Sequence, residues 1–147
     1  MDFDVFIEKW DNLPNSIAQE MLPVMEEAAL TGKGLLTRRV QNEGFGERYI
    51  PGRYVKIRKA RGFEIRFVNL TFTGQMFRGW SVPSSSNEGL IIRGTVSGID
   101  ELTRNKLGWN KDRYENFDLL TDEEKDIIYD NLIQPRLLEI IKQQLFE

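Results

Sequence analysis

The sequence predicts an α+β domain, with an antiparallel sheet of two β-hairpins packed against N-terminal and C-terminal helices. Three observations carry this expectation. Apolar residues recur at helical spacing over the first forty or so residues and again after residue 121. Between residues 53 and 96 the period changes to two, with glycine-bearing turns separating the alternating runs. The length of 147 residues suits one domain, spanning 1–147, that buries about two thirds of its unfolded surface.

Residues 1–44 read as helical. Phe3, Phe6, Ile7 and Trp10 lie at helical spacing. Asn12-Leu13-Pro14 marks a break, after which Ser16 caps a longer helix with Ile17, Met21, Val24, Met25 and Ala28 on one face. Pro23 should kink this helix or begin a new one, because proline lacks the backbone donor and crowds the preceding turn. Gly32 and Gly34 weaken the continuation through Leu35, Leu36 and Val40, and Gly44 to Gly46 end it. A methionine and aromatic stripe at this spacing is core or a seam against a partner helix, not a cofactor box.

From Arg53 the pattern is that of strands. Val55 and Ile57 alternate with Lys56 and Arg58, Phe63-Glu64-Ile65-Arg66-Phe67 repeats the alternation, and Lys59-Ala60-Arg61-Gly62 joins them as a hairpin loop. Thr73 caps a short helix through Gln75, Met76 and Phe77 that closes near Gly79. Ser81 to Val96 holds a second hairpin, with the segment from Ser84 to Gly89 as its tip and Leu90, Ile91 and Ile92 in its return strand. Ser84, Ser85 and Ser86 read as a flexible contact loop that orders on assembly. Residues 98–120 comprise a short helix from Ile99 to Leu107, a turn at Gly108-Trp109-Asn110 and an aromatic loop. The last helix, 121–146, opens on a capping box of Thr121 and Glu124 and crowds acids into its first turn. Its apolar face is Ile127, Ile128, Leu132, Ile133, Leu137, Leu138, Ile141 and Leu145, kinked at Pro135.

Composition narrows the chemistry. No run approaches the roughly 18 apolar residues of a membrane helix, and MDFDVFIEKW is acidic where an export signal would be basic, so no membrane role is expected. Cysteine and histidine are both absent. That removes disulfides, thiolate metal sites, the commonest metal ligand and the commonest general base at neutral pH. Asp122, Glu123, Glu124 and Asp126 sit where a helix dipole and orphan amides already favour carboxylates, which accounts for them without a cation. Thr31-Gly32-Lys33-Gly34 lacks the full spacing of a phosphate loop and follows a helix where a strand should stand. Ser84 to Ser86 have no histidine to activate them. The expectation is a protein without catalytic residues, cofactor or metal.

The net charge of −3 conceals a partition: residues 1–32 carry −6, 33–66 carry +7, 67–109 carry +1 and 110–147 carry −5. Such blocks serve a solvated face, a polyanion or the acidic surface of a neighbouring copy. Arg53, Lys56, Arg58, Lys59 and Arg61 supply the basic face, with Tyr49, Tyr54, Phe63 and Phe67 nearby. Bases beside aromatics can bind nucleic acid by phosphate contact and stacking, so a nucleic-acid-binding accessory protein is the alternative reading. Aromatics that alternate inward along a strand are more often core.

Two segments, NLTFTGQMFRGW (Asn69 to Trp80) and RNKLGWNKDRYENFDLLTDEEKDII (Arg104 to Ile128), carry a resemblance. With Tyr54 and Lys56 ahead of them, Leu70, Thr71, Thr73, Gly74 and Met76 form an L-T-x-T-G turn. Gly108, Arg113, Phe117, Leu120, Thr121 and Glu124 then form an aromatic approach to a helix start. This order resembles the virion-morphogenesis or tail-completion proteins of tailed phages, over roughly residues 35 to 130. The chain departs from the family at Arg104 to Gly108, where a histidine-glutamine segment is usual, and at Tyr114, where proline is usual. The resemblance implies a structural component of the head–tail joint, located in the virion neck or tail and in the host cytoplasm during assembly. It implies assembly as a homo-oligomeric ring between connector or neck proteins and a tail-tube or tail-terminator protein, with at most weak proximity to DNA. The interface expected from the residues is Arg53, Lys56, Arg58, Lys59, Arg61, Ser84, Ser85, Ser86, Trp109, Tyr114 and Phe117.

Overall fold

A computed structural model describes residues 3–82, 85–89 and 91–147. The elements run α1 (Phe3–Asn42), α2 (Arg53–Ala60), α3 (Gln75–Arg78), β1 (Trp80–Ser81), β2 (Ser85–Glu88), β3 (Ile91–Gly94), β4 (Ser97–Gly98), α4 (Glu101–Arg113), α5 (Asp122–Ile128), a π-helical segment (Tyr129–Ile133) and α6 (Gln134–Phe146). The class is α+β, as expected, with helices at both ends. The strands make two separate antiparallel ladders, β1 with β4 and β2 with β3. The chain forms two compact units: Met1–Gly32, Val82–Val96 and Thr121–Glu147 make one, and Lys33–Ser81 with Ser97–Leu120 make the other.

Helix α1 is continuous through both Asn12-Leu13-Pro14 and Pro23, so neither expected interruption occurs. Each proline deletes one backbone bond and crowds the preceding turn at a cost of about 3 kcal/mol or more. Burial beyond Pro14 offsets this, since Ala18, Met21, Val24 and Ala28 are all in the core. The end of α1 is where the glycines place it. The Gly44 amide donates to the Val40 carbonyl at 3.2 Å with φ at 76°, which closes the last turn with a left-handed residue. A side chain at Gly44 would also meet Phe67 Cδ2 at 2.8 Å.

In the first unit, Met21 and Val24 of α1 pack with Ile140 of α6, flanked by Ile17, Ile92, Leu132, Ile133 and Leu137. Strand β3 lies so close to α1 that a Cβ on Gly94 would clash with the Met25 carbonyl oxygen. The Ser85 amide and hydroxyl both donate to Glu26 Oε1 at 3.0 Å. Ser85 and Ser86 are therefore not the hairpin tip. Ser85 and Ser86 are ladder residues opposite Gly94 and Arg93, and the turn follows Glu88; Ser84 and Leu90 lie outside the described residues.

The expected capping box opens α5: the Glu124 amide donates to Thr121 Oγ1 at 3.2 Å, and the Thr121 amide to Glu124 Oε2 at 2.9 Å. The kink expected at Pro135 takes the form of the π-helical segment just before it. Because Pro135 has no N–H to return to Asn131, the turn widens, and the Gln134 amide donates to the Tyr129 carbonyl five residues back. The apolar face is narrower than its pattern suggested. Ile127 and Leu138 are exposed, whereas Ile140, outside the expected face, is buried, as are Ile128 and Leu145.

The second unit is built around Leu36, Val40, Met76, Phe77, Trp80 and Phe117, with Phe45, Leu70, Leu107, Tyr114 and Leu120 packed against them. Burying one such side chain stabilises by roughly 1.5–3 kcal/mol. Helix α4 starts at the Asp100 cap, whose Oδ1 accepts from the Thr103 amide at 2.6 Å. It continues through Gly108, so no turn occurs at Gly108-Trp109-Asn110; an exposed helical glycine costs only about 1 kcal/mol. Thr73 does not occupy the cap position of α3. Gly74 does, at φ 72°, with Thr73 Oγ1 accepting from the Gln75 amide at 3.4 Å.

The largest departure is at residues 53–67. Arg53–Ala60 is the helix α2, followed by irregular chain, and there is no hairpin. Five of its eight residues, Arg53, Lys56, Arg58, Lys59 and Ala60, are strong helix formers, which outweighs the alternation of Val55 and Ile57. The glycine read as a hairpin residue terminates the helix instead. At φ 70°, the Gly62 amide donates to the Lys59 carbonyl and the Phe63 amide to the Arg58 carbonyl, the paired bonds of a Schellman motif.

Candidate functional site

Helix formation divides the basic residues of α2 into two groups. Arg53, Lys56, Lys59 and Arg61 are exposed, together with Tyr54 and Ile57. Arg58 is fully buried, at 0% exposure, and so is not a surface contact. Its guanidinium donates through Nε to the Glu64 carbonyl at 2.9 Å, through Nη1 to the Thr71 carbonyl at 2.8 Å and through Nη2 to Asn69 Oδ1 at 2.9 Å. It lies 4.5 Å from the centre of the Tyr49 ring, with Phe63 and Tyr54 at 5.6 and 5.7 Å. Among the described residues no carboxylate pairs with it. Neutral oxygens and aromatic faces hold this charge, and the planar fork of arginine suits that role where lysine would not.

Asn69 organises the other side of the cluster. Its Oδ1 accepts from the Tyr49 hydroxyl at 3.1 Å and from the Thr71 amide at 3.1 Å, besides Arg58. These bonds hold Leu70 at φ 53°, a left-handed conformation that costs a non-glycine residue about 1–3 kcal/mol. Burial pushes the Tyr49 hydroxyl above its ordinary pKa, partly opposed by Arg58. Glu64, beside the cluster, is held down to about 2, chiefly by the hydrogen bond from the Arg66 side chain and by the Arg66 amide.

On the outer side of Tyr49 and Tyr54 a cleft of about 260 Å³ opens between Ile50, Leu70, Phe72, Arg113 and Tyr114. Its walls are an aromatic lattice interleaved with arginine. Tyr54 stacks on Phe72 at 6.1 Å, Arg61 lies 5.0 Å from the Phe72 ring centre, and Arg113 lies 5.6 Å from that of Tyr114. A cavity of about 150 Å³ admits a benzene ring, so this cleft has room for one aromatic side chain.

Of the expected interface residues, Arg53, Lys56, Lys59 and Arg61 share the exposed surface of α2 and its end, and Tyr114 lines the cleft beside them. Trp109 is exposed on α4. Phe117 is wholly buried in the core and joins no surface. Ser85 and Ser86 belong to the other unit. The expected interface left out Asn69, Phe72 and Arg113, of which Arg113 enters only as part of the resemblance. The available signal was Asn69 two residues before Thr71, the spacing of a turn in which an asparagine side chain accepts from the backbone. Among the described residues, no helix is long and apolar enough to cross a membrane. No family model, curated protein or solved structure matches the chain.

Proposed function

We propose that this chain is a non-catalytic assembly protein of the head–tail joint of a tailed phage, of the tail-completion type, which joins copies of itself to neighbouring connector and tail proteins. The observation that carries the reading is the part played by the L-T-x-T-G segment. Leu70 is strained and lines the cleft, Thr71 anchors the buried Arg58, Gly74 turns the chain into α3, and Met76 enters the core. Leu70 and Thr71 of the resemblance thus help to shape one aromatic, basic surface. Interrupting the gene in its own genome should leave filled heads and finished tails unjoined in electron micrographs. Joined, infectious particles in normal number would refute the reading.

A second reading, nucleic-acid binding, is favoured by one observation: Arg53, Lys56, Lys59 and Arg61 are exposed with no acid on α2. The Lys56→Glu/Lys59→Glu variant separates the two, because both side chains are exposed. Under the assembly reading, fluorescence anisotropy with a labelled duplex shows only weak binding at physiological salt. Submicromolar binding that is lost in the variant, with a salt slope reduced by about one unit per phosphate contact, establishes the second reading instead.

A further inference from the structure

We infer that the first three turns of α1 form a docking helix that seats on α2 and the aromatic cleft of a second copy of this chain. This deepens the proposed function and rests on its self-assembly component. Phe3, Ile7 and Trp10, at i, i+4 and i+7, make one row along α1, and they are 73%, 43% and 57% exposed. Asp4, Glu8 and Asp11 make a second exposed row one residue further round. Three large apolar side chains in line on one helix edge, flanked by an acidic line, are the pattern of a helix that lies in a groove.

The α2 surface carries the complementary pair of rows. Tyr54 and Ile57 are 48% and 38% exposed, and Tyr54 lines the cleft. Arg53, Lys56 and Lys59, at i, i+3 and i+6, run beside them. Among the described residues no carboxylate forms an ion pair with any of these three. Acidic and apolar rows on one element thus face basic and apolar rows on another, and the cleft offers a socket for one ring of the Phe3 or Trp10 type. Nucleic acid would answer the basic row but would leave the apolar row of α1 unexplained. Because the two surfaces differ, the contact is heterologous, so one copy's docking helix leaves its own cleft open for the next.

Charge exchange tests this with purified full-length chain. Wild-type protein should associate with increasing concentration in sedimentation velocity, and less so at high salt. Reversing either row, by Asp4→Lys/Glu8→Lys/Asp11→Lys or by Arg53→Glu/Lys56→Glu/Lys59→Glu, should weaken association by about tenfold or more. Circular dichroism of each variant should remain that of the folded protein. Mixing the two reversed proteins should restore association, because each row then meets its opposite. Trp10→Ala should weaken association with no change of charge. A wild-type chain that stays monomeric, association that survives both reversals, or a mixture that fails to associate would each overturn the contact. The reading of a head–tail joint is judged apart, by the count of joined particles.

Discussion

Arg58 is the residue on which the second unit's surface turns. Removing it takes the guanidinium donor from the Glu64 and Thr71 carbonyls, deprives Asn69 Oδ1 of one of its three donors and empties the space between Tyr49 and Phe63. Arg58→Ala should therefore destabilise by about 3 kcal/mol or more in urea unfolding, and Arg58→Lys should recover only part, since a point charge cannot serve three acceptors at once. An alanine variant as stable as the wild type would contradict this account. Glu64 gives a pH signature in the same region. Its folded pKa of about 2 lies below its ordinary value of 4.5, so its stabilising bonds to Arg66 are complete above 4.5 and lost as pH falls towards 2. Carbon-13 NMR of the Glu64 carboxyl should show a midpoint near that lower value, and Arg66→Ala should move it upward; an unmoved midpoint would remove Arg66 as the cause. The sequence shows both residues but not their roles, because an arginine in a run of bases reads as surface until its helix position is known.

At the scale of the element, the C-terminal helix was the most legible part of the chain. Its start rests on two side chains three residues apart, each accepting from the other's backbone amide, a pattern that can be read from local spacing. Thr121→Ala should cost about 0.5–2 kcal/mol. Ile128→Ala and Ile140→Ala, which remove buried side chains, should each cost about 2–5 kcal/mol, while Leu138→Ala, at an exposed position, should be nearly neutral. Thermal melts rank the four; a large loss at Leu138 would mean that its side chain is covered in solution, as by a neighbouring copy. Legibility fails where one local signal serves two structures. Gly62 has the positive φ of a hairpin turn and of a helix terminus alike, and Val55 and Ile57 alternate on a helix as readily as on a strand. Tertiary context decided, because only a helix places Arg58 inward while Lys56 and Lys59 remain outside.

At the scale of the molecule, the charge partition was legible and the division of the chain was not. The blocks follow directly from counting, whereas membership of the two units depends on which distant segments bury one another, for which a single sequence offers little signal. That division has a consequence for the order of synthesis. All of the second unit has been made once Leu120 is in place, but the first unit, which also draws on residues ahead of Lys33, lacks the 27 residues Thr121–Glu147 until Glu147 has been added. At about 5–20 residues per second the interval is on the order of a few seconds. Throughout it Met21 and Val24 wait for Ile140, so a unit begun before the second one can close only after it.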